Sequence, residues 1–277
     1  MSRVPVKGGS LFTRVEASER SDPAWLILST SIASDHTMWD PQIPALTTRY
    51  RVLRYDTRGH GLSDAPDGPY SFDMLVEDVI GLMDHHGIGK ATFMGLSLGG
   101  MTGLGLALKH PDRVEKLVCC DARADAPEPY VKGWDERIAI VEREGMQGIL
   151  QSTLERWLTP AFRKENPEVV ATVEQMILST PVAGYKGAAA ALKQLDYLKD
   201  LPRMTVPTLF VVGAEDAGAP PDVMQRMAEA TPGARLAVIP DAAHIANIDN
   251  APGFHEAIAD FLKLPGRGGQ PNGQGAG

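Results

Sequence analysis

A six-residue run, Gly95-Leu96-Ser97-Leu98-Gly99-Gly100, constrains this chain more than any other feature. Ala91-Thr92-Phe93-Met94 before it reads as the end of a buried strand, and residues 101–109 after it read as a helix. A serine flanked two residues away on each side by glycine, between strand and helix, predicts a turn too tight for side chains on its neighbours. The Ser97 hydroxyl then projects from the turn above the helix N-terminus. Glycine and serine are common, so the bare pattern says little. Its place between strand and helix points to an exposed nucleophile.

The rest of the chain alternates in the way such a turn requires. Residues 2–7 and 10–16 read as short antiparallel strands. Buried strands are expected at 24–28, 51–55, Val114–Cys120, 208–212 and Arg235–Ile239. Helical spacing marks 71–86, with Ser71 as N-cap, and also Pro221–Ala230 and 252–262. Residues 122–201 break the pattern: no strand is expected there, and helices are expected at 135–143, 146–157, 167–178 and 184–195. The predicted fold class is α/β: a mostly parallel central sheet flanked by helices, with an all-helical cap insertion. The expected division is a core of residues 1–121 and 202–264, a cap of 122–201, and a disordered glycine-rich tail of 265–277. No internal repeat is found.

Composition narrows the function classes. A net charge of −8 argues against a nucleic-acid or anionic-membrane partner. No apolar run of about eighteen residues is present, and the N-terminus lacks the apolar core of a signal peptide. A cytoplasmic protein is expected. Adjacent Cys119 and Cys120, within an apolar run, read as buried thiols. No spacing of His, Cys and carboxylates suggests a metal site, and no dinucleotide fingerprint is present. A homo-oligomer is left open.

A serine hydroxyl needs a base, usually histidine, oriented by a carboxylate. In a strand–turn–helix setting these follow in the order Ser, acid, His, on loops after strands. Asp216, after the 208–212 strand, and His244, after Arg235–Ile239, satisfy that order. His85, His86 and His110 read as solvated, and His255 lies within the last helix. His36 and His60 precede the nucleophile, with His60 the alternative base. Glu215 and Asp121 are the alternative acids. Asp56 and Asp64 read as residues that bond loop amides. Two backbone N–H groups should form the oxyanion hole: that of Leu98, and one on the loop 29–34, where counting from the strand end gives Ile32.

Several stretches carry a resemblance. The order Ser97–Asp216–His244, the helical insertion, and Tyr55-Asp56-Thr57-Arg58-Gly59-His60-Gly61-Leu62-Ser63 resemble the α/β-hydrolase superfamily over the first 264 residues. Met38-Trp39-Asp40-Pro41-Gln42, residues 54–66 and 95–101, Glu155-Arg156-Trp157-Leu158-Thr159-Pro160-Ala161-Phe162 and Gly213-Ala214-Glu215-Asp216 are similar to 3-oxoadipate enol-lactonases. The loop 29–34 lacks the Asn-Ser-Leu-Gly pattern of that family, and the charged run 121–125 replaces small residues. Both departures bear on specificity more than on chemistry. The resemblance implies cofactor-free hydrolysis of a carboxylated enol lactone to 3-oxoadipate, in aromatic-acid catabolism, through an acyl-enzyme. A substrate carboxylate, if buried, needs a cation. Arg58, Arg123, Lys132 and Arg137 are the candidates, with Trp134 as a pocket wall. The alternatives are a broader carboxylesterase, lactonase or lactamase, a cofactor-free perhydrolase, and a non-catalytic ligand receptor.

Overall fold

The computed structural model describes residues 1–265; the glycine-rich stretch from 266 lies outside the described residues. The apolar runs become eight strands: β1 (Ser2–Val6), β2 (Gly9–Glu16), β3 (Ala24–Ser29), β4 (Tyr50–Tyr55), β5 (Ala91–Leu96), β6 (Val114–Cys120), β7 (Thr208–Gly213) and β8 (Arg235–Ile239). They form one sheet in the order β1-β2-β4-β3-β5-β6-β7-β8. β2 pairs antiparallel with both β1 and β4, and every later pairing is parallel. All six residues of β5 and of β7 are buried, as strands covered on both faces must be. β3 sits between β4 and β5, so the chain winds one way and then the other from it. The C-terminal ends of β3 and β5 therefore meet at the switch point, with Ser29 opposite Gly95, where open α/β sheets form their crevice.

The helices are α1 (Ile43–Thr47), α2 (Phe72–His85), α3 (Leu98–Lys109), α4 (Glu128–Glu144), α5 (Leu150–Trp157), α6 (Pro160–Glu165), α7 (Pro167–Ser179), α8 (Val182–Leu192), α9 (Pro221–Ala230), α10 (Ala246–Asp249) and α11 (Ala251–Leu262). Ser71 caps α2, its hydroxyl accepting the Met74 N–H at 3.2 Å. α3 is buried over ten of its twelve residues, because it fills the space behind β5, β6 and β3. Cys119 and Cys120 are buried and unpaired, and burial pushes both thiols up.

Between β6 and β7 lie α4 to α8 and short 3₁₀ turns, with a single isolated bridge, Asp125 to Asp196, among the described residues. α8 is shifted from the expected 184–195 to Val182–Leu192, and three larger departures stand beside it. α4 starts at Glu128 rather than 135, because Pro129 falls in its first turn, where a missing N–H costs nothing. The helix expected over 146–157 is divided into a 3₁₀ turn (Met146–Ile149) and α5. The short α6 was not foreseen; Thr159 caps it by accepting the Phe162 N–H at 3.3 Å.

A glycine packing and a buried carboxylate are among the contacts that dock these helices on the sheet. In α8, a Cβ on Gly184 would lie 1.9 Å from the Gly59 oxygen, and one on Gly187 would meet the Tyr70 ring at 2.6 Å. Only glycine permits that approach, which the Tyr70 N–H secures by donating to the Gly187 carbonyl at 3.1 Å. At the other contact, the Asp249 carboxylate accepts from the Thr159 N–H and hydroxyl, each at 3.0 Å, and from the Ala243 N–H at 2.7 Å. The start of α6 and the loop after β8 are thereby one bonded unit.

Candidate active site

At the end of β5 the backbone of Ser97 takes φ 54° and ψ −114°, a strained conformation for a residue with a side chain. It is held by the Ser97 N–H donating to the Cys120 carbonyl at 2.8 Å and the Gly99 N–H donating to Thr30 at 3.0 Å. The flanking glycines are obligatory: a Cβ on Gly95 would stand 2.2 Å from the Gly99 oxygen, and one on Gly99 would stand 2.5 Å from the Ser29 oxygen. Sterics thus force the serine side chain out of the turn, toward the loops that follow β7 and β8.

Those loops bring Asp216 and His244 to it. His244 Nε2 lies 3.0 Å from Ser97 Oγ, and its Nδ1 lies 2.9 Å from Asp216 Oδ2. The other Asp216 oxygen accepts the Gly218 and Ala219 N–H groups at 2.7 and 3.1 Å, so the carboxylate is fixed before it meets the ring. Backbone bonds from Ala214 to Ile239 (2.8 Å) and from Glu215 to Ala242 (2.9 Å) clamp the two loops together. The His244 side is anchored through Ala243 on Asp249 and through the Ile245 N–H, which donates to Trp157 at 3.1 Å. All three side chains are buried or nearly so, which strengthens charge–dipole contacts between them.

All the alternatives but Asp121 stand elsewhere. Glu215 is exposed. His60 is buried with Nδ1 3.1 Å from the Arg58 carbonyl and no partner at Nε2; burial pushes its pKa down. His36 is bonded to Asp56 at 2.8 Å. Asp56 also accepts the His36 and Leu62 N–H groups (2.7 and 2.8 Å), and Asp64 that of Ser10 (2.8 Å). Asp35, His36 and Asp56 bring ligand-type atoms within 4.8 Å of one another, but their hydrogen bonds to one another and to the loop already occupy them.

Asp121, the other acid considered, directly follows β6 beside this group. Its Oδ1 accepts the Gly213 N–H at 2.8 Å, while Oδ2 is buried without a hydrogen-bond partner. Burial, and then the charge of Asp216, push its carboxyl well above the usual range. The folded chain therefore retains a proton that the unfolded chain has released. Stability from this group is fullest below the ordinary carboxylate pKa and falls as pH rises toward the folded value. Asn keeps the shape and the Gly213 bond without an ionisable group. Asp121→Asn is expected to melt about 3 °C above the parent at pH 8, with the gap closing toward pH 4. Thermal denaturation across that range checks it; a variant that melts lower throughout contradicts it.

Leu98 opens α3, where a helix leaves its first N–H groups without intrahelical partners, and Ile32 lines the same cavity as Ser97 and His244. That cavity is about 20 Å³, room for one water. Trp134 and Arg137 of α4, Thr153, Arg156 and Trp157 of α5 and Tyr185 of α8 close it from above. Arg137 donates to the Tyr185 hydroxyl at 2.9 Å and to that of Thr153 at 2.6 Å. Arg156 has no hydrogen-bond or ion-pair partner among the described residues, and burial pulls its pKa down, with Arg137 adding to the effect. Two guanidinium groups thus face this cavity without a carboxylate bonded to either.

The sequence-based cations fare unevenly. Arg58 is removed from the site: its guanidinium pairs with Asp78 of α2 (Nε–Oδ2 2.8 Å) and donates to the Lys7 carbonyl at 2.9 Å. Arg123 does not reach the Ser97 cavity; it lines an adjoining one, as do Arg137 and Arg156. Lys132 is exposed. Trp134 lines both cavities. Arg156 and Tyr185 were missed, although Arg156 lies inside the stretch that carried the family resemblance.

The geometry finds its counterparts among known proteins. Residues 24–251 match the model of the alpha/beta hydrolase fold. A 3-oxoadipate enol-lactonase of Acinetobacter baylyi is 34% identical over 244 residues, 88% of this chain and 90% of that protein. The crystal structure of the enol-lactonase from Burkholderia xenovorans superposes with a TM-score of 0.91 at 38% identity, covering 95% of this chain and all of the other. A thermophilic esterase from Thermogutta terrifontis, solved with malate bound, gives a TM-score of 0.87 at 31% identity, covering 95% and 98%. By family model, sequence and fold alike, the chain belongs to the α/β-hydrolase family, and within it is similar to the enol-lactonases.

Proposed function

We propose that the protein hydrolyses a small carboxylic ester or lactone that bears a free carboxylate, a 3-oxoadipate enol-lactone fitting best, through an acyl-enzyme on Ser97. The carrying observation is the placement of His244 between Ser97 and Asp216 beneath two guanidinium groups to which no carboxylate among the described residues is bonded. In this reading His244 Nε2 takes the Ser97 proton as Oγ attacks the carbonyl carbon. The Leu98 and Ile32 N–H groups hold the oxyanion, each worth on the order of 3 kcal/mol in the transition state. Asp216 fixes the tautomer and steadies the imidazolium. Collapse breaks the acyl–oxygen bond, and the His244 proton goes to the leaving oxygen. An enol so released tautomerises to the ketone, which removes the nucleophile that would re-close the ring. Water, deprotonated by His244, then frees the acid. Arg137 and Arg156 pair the substrate carboxylate, whose unpaired burial would be costly. The helices between β6 and β7 act as the cap that excludes water. Malate in the similar esterase, a small dicarboxylate, supports an anionic ligand for this architecture.

A broader carboxylesterase is the second reading, favoured by the departures at 29–34 and 121–125. Turnover of 3-oxoadipate enol-lactone, compared with short p-nitrophenyl esters, separates the two. The first reading expects kcat/KM for the lactone about 10²-fold or more above the esters, the difference a paired buried carboxylate supplies. Ester turnover without lactone turnover establishes the second.

A further inference from the structure

A second cavity, of about 320 Å³, lies between the segment leaving β6, the first half of α4 and the loop that carries Asp216. It is large enough for a small organic acid. Three arginines line it, Arg123, Arg137 and Arg156, and no carboxylate does. On a chain of net charge −8, that is a local reversal of sign. Trp134, Arg137 and Arg156 also line the cavity around Ser97, so these three side chains are the wall between the two spaces. The inner space, about 20 Å³, admits no substrate until that wall yields.

The wall is unequally fastened. Arg137 is tied to Tyr185 and Thr153, whereas Arg156 has no hydrogen-bond partner among the described residues. Arg123, farther out, lies over the Tyr130 ring at 5.1 Å and donates to Asp125 twice, from Nη2 to the carboxylate at 3.2 Å and from Nε to the carbonyl at 3.4 Å, which leaves Nη1 free among the described residues. Several of its five N–H donors are therefore uncommitted. We propose that this outer cavity is an antechamber, in which Arg123 takes up the carboxylate of an anionic ester or lactone and passes it over the Trp134–Arg137–Arg156 wall to Ser97. The proposal rests on the hydrolase reading above. Relay between guanidinium groups spares the carboxylate a desolvated, unpaired interval. Arg156, the unfastened member, swings to receive it.

Gly133 of α4 also lines the antechamber, and a Cβ there meets nothing within 4 Å. A large side chain at this position enters open space and obstructs the passage while leaving the helix a better former than glycine does. Two probes of similar size serve as substrates: p-nitrophenyl hydrogen glutarate, which carries a free carboxylate, and p-nitrophenyl pentanoate, which does not. Arg123→Gln is expected to lower the anionic-to-neutral ratio of kcat/KM about 10-fold at low ionic strength, an effect that fades in about 0.5 M salt. Gly133→Trp is expected to lower kcat/KM for both esters about 10-fold, with cooperative melting retained. A ratio indifferent to Arg123 and to salt, or a folded Gly133→Trp with unimpaired kcat/KM, overturns the antechamber. If Gly133→Trp fails to fold, the Arg123 comparison decides alone. Turnover that survives Ser97→Ala, or no turnover of either ester, overturns the hydrolase reading instead.

Discussion

Ser97→Ala is expected to lower kcat about 10⁶-fold, His244→Ala by a similar factor, and the double variant no further than either alone. The reason is geometric. In the proposed mechanism His244 Nε2, 3.0 Å from the hydroxyl, accepts its proton, and the hydroxyl is a poor nucleophile until it does. Removing either partner removes the same step, so the losses do not add. The Leu98 and Ile32 N–H groups survive these changes, and a residual rate about 10³-fold over water is expected from them. Steady-state rates on p-nitrophenyl pentanoate, with melting curves to show that each variant folds, make the check. Additive losses would mean that the two residues act in separate steps; a Ser97→Ala variant retaining about a hundredth of the rate would sink the acyl-enzyme.

Asp216→Asn is expected to cost about 10⁴-fold in kcat while leaving the fold intact. Asn retains an oxygen where Oδ1 accepts the Gly218 and Ala219 N–H groups, so the loop keeps its shape. Its amide nitrogen takes the place of Oδ2, 2.9 Å from His244 Nδ1, and donates where the carboxylate accepted. Nδ1 must then be the acceptor and Nε2 carries the proton, the tautomer unable to deprotonate Ser97. Asp216→Ala loses the loop bonds as well, and is expected to melt lower than Asp216→Asn. Equal melting of the two would assign the carboxylate no structural share. Retention of more than about a tenth of the rate by Asp216→Asn would mean that another acid orients the ring. Asp121, on the neighbouring strand end, would then be the group to replace in the same background.

What could be read from residues alone followed from local sterics and periodicity. Gly95 announces a turn because its missing side chain is demanded by backbone four residues on, at Gly99, while Gly99 is demanded by the Ser29 backbone at the end of the neighbouring strand. Strands such as β5 and β7 stand out because burial on both faces leaves each a near-continuous apolar run, with Thr92 and Thr208 as their polar residues. The positions of Asp216 and His244 follow from the alternation, each on a loop after its strand. The recognition side was opaque for the opposite reason. Arg58 and Asp78 are twenty residues apart, in a loop and a helix, and nothing in either segment announces that their side chains meet. Arg156 sits on α5, whose inward face is set by how the helices between β6 and β7 dock, a long-range matter that helical spacing does not encode. Pro129 and Gly133 disguised the first half of α4, one tolerated by its place in the first turn and the other left as glycine beside an open cavity.

The glycine contacts beneath α8 have a consequence for how such a chain can diversify. Gly184 and Gly187 are held by backbone and by the Tyr70 ring, so any larger residue there must lift the helix from its seat. Substitution at that end is a choice between glycine and misassembly, and a lineage or a mutant library has almost no freedom in it. α4 and α5 face Ser97 across the cavity with the side chains of Trp134, Arg137 and Arg156, where no backbone approach of that kind demands glycine. New selectivities should accumulate on those two helices, and α8 should remain the fixed hinge-pin around which they vary.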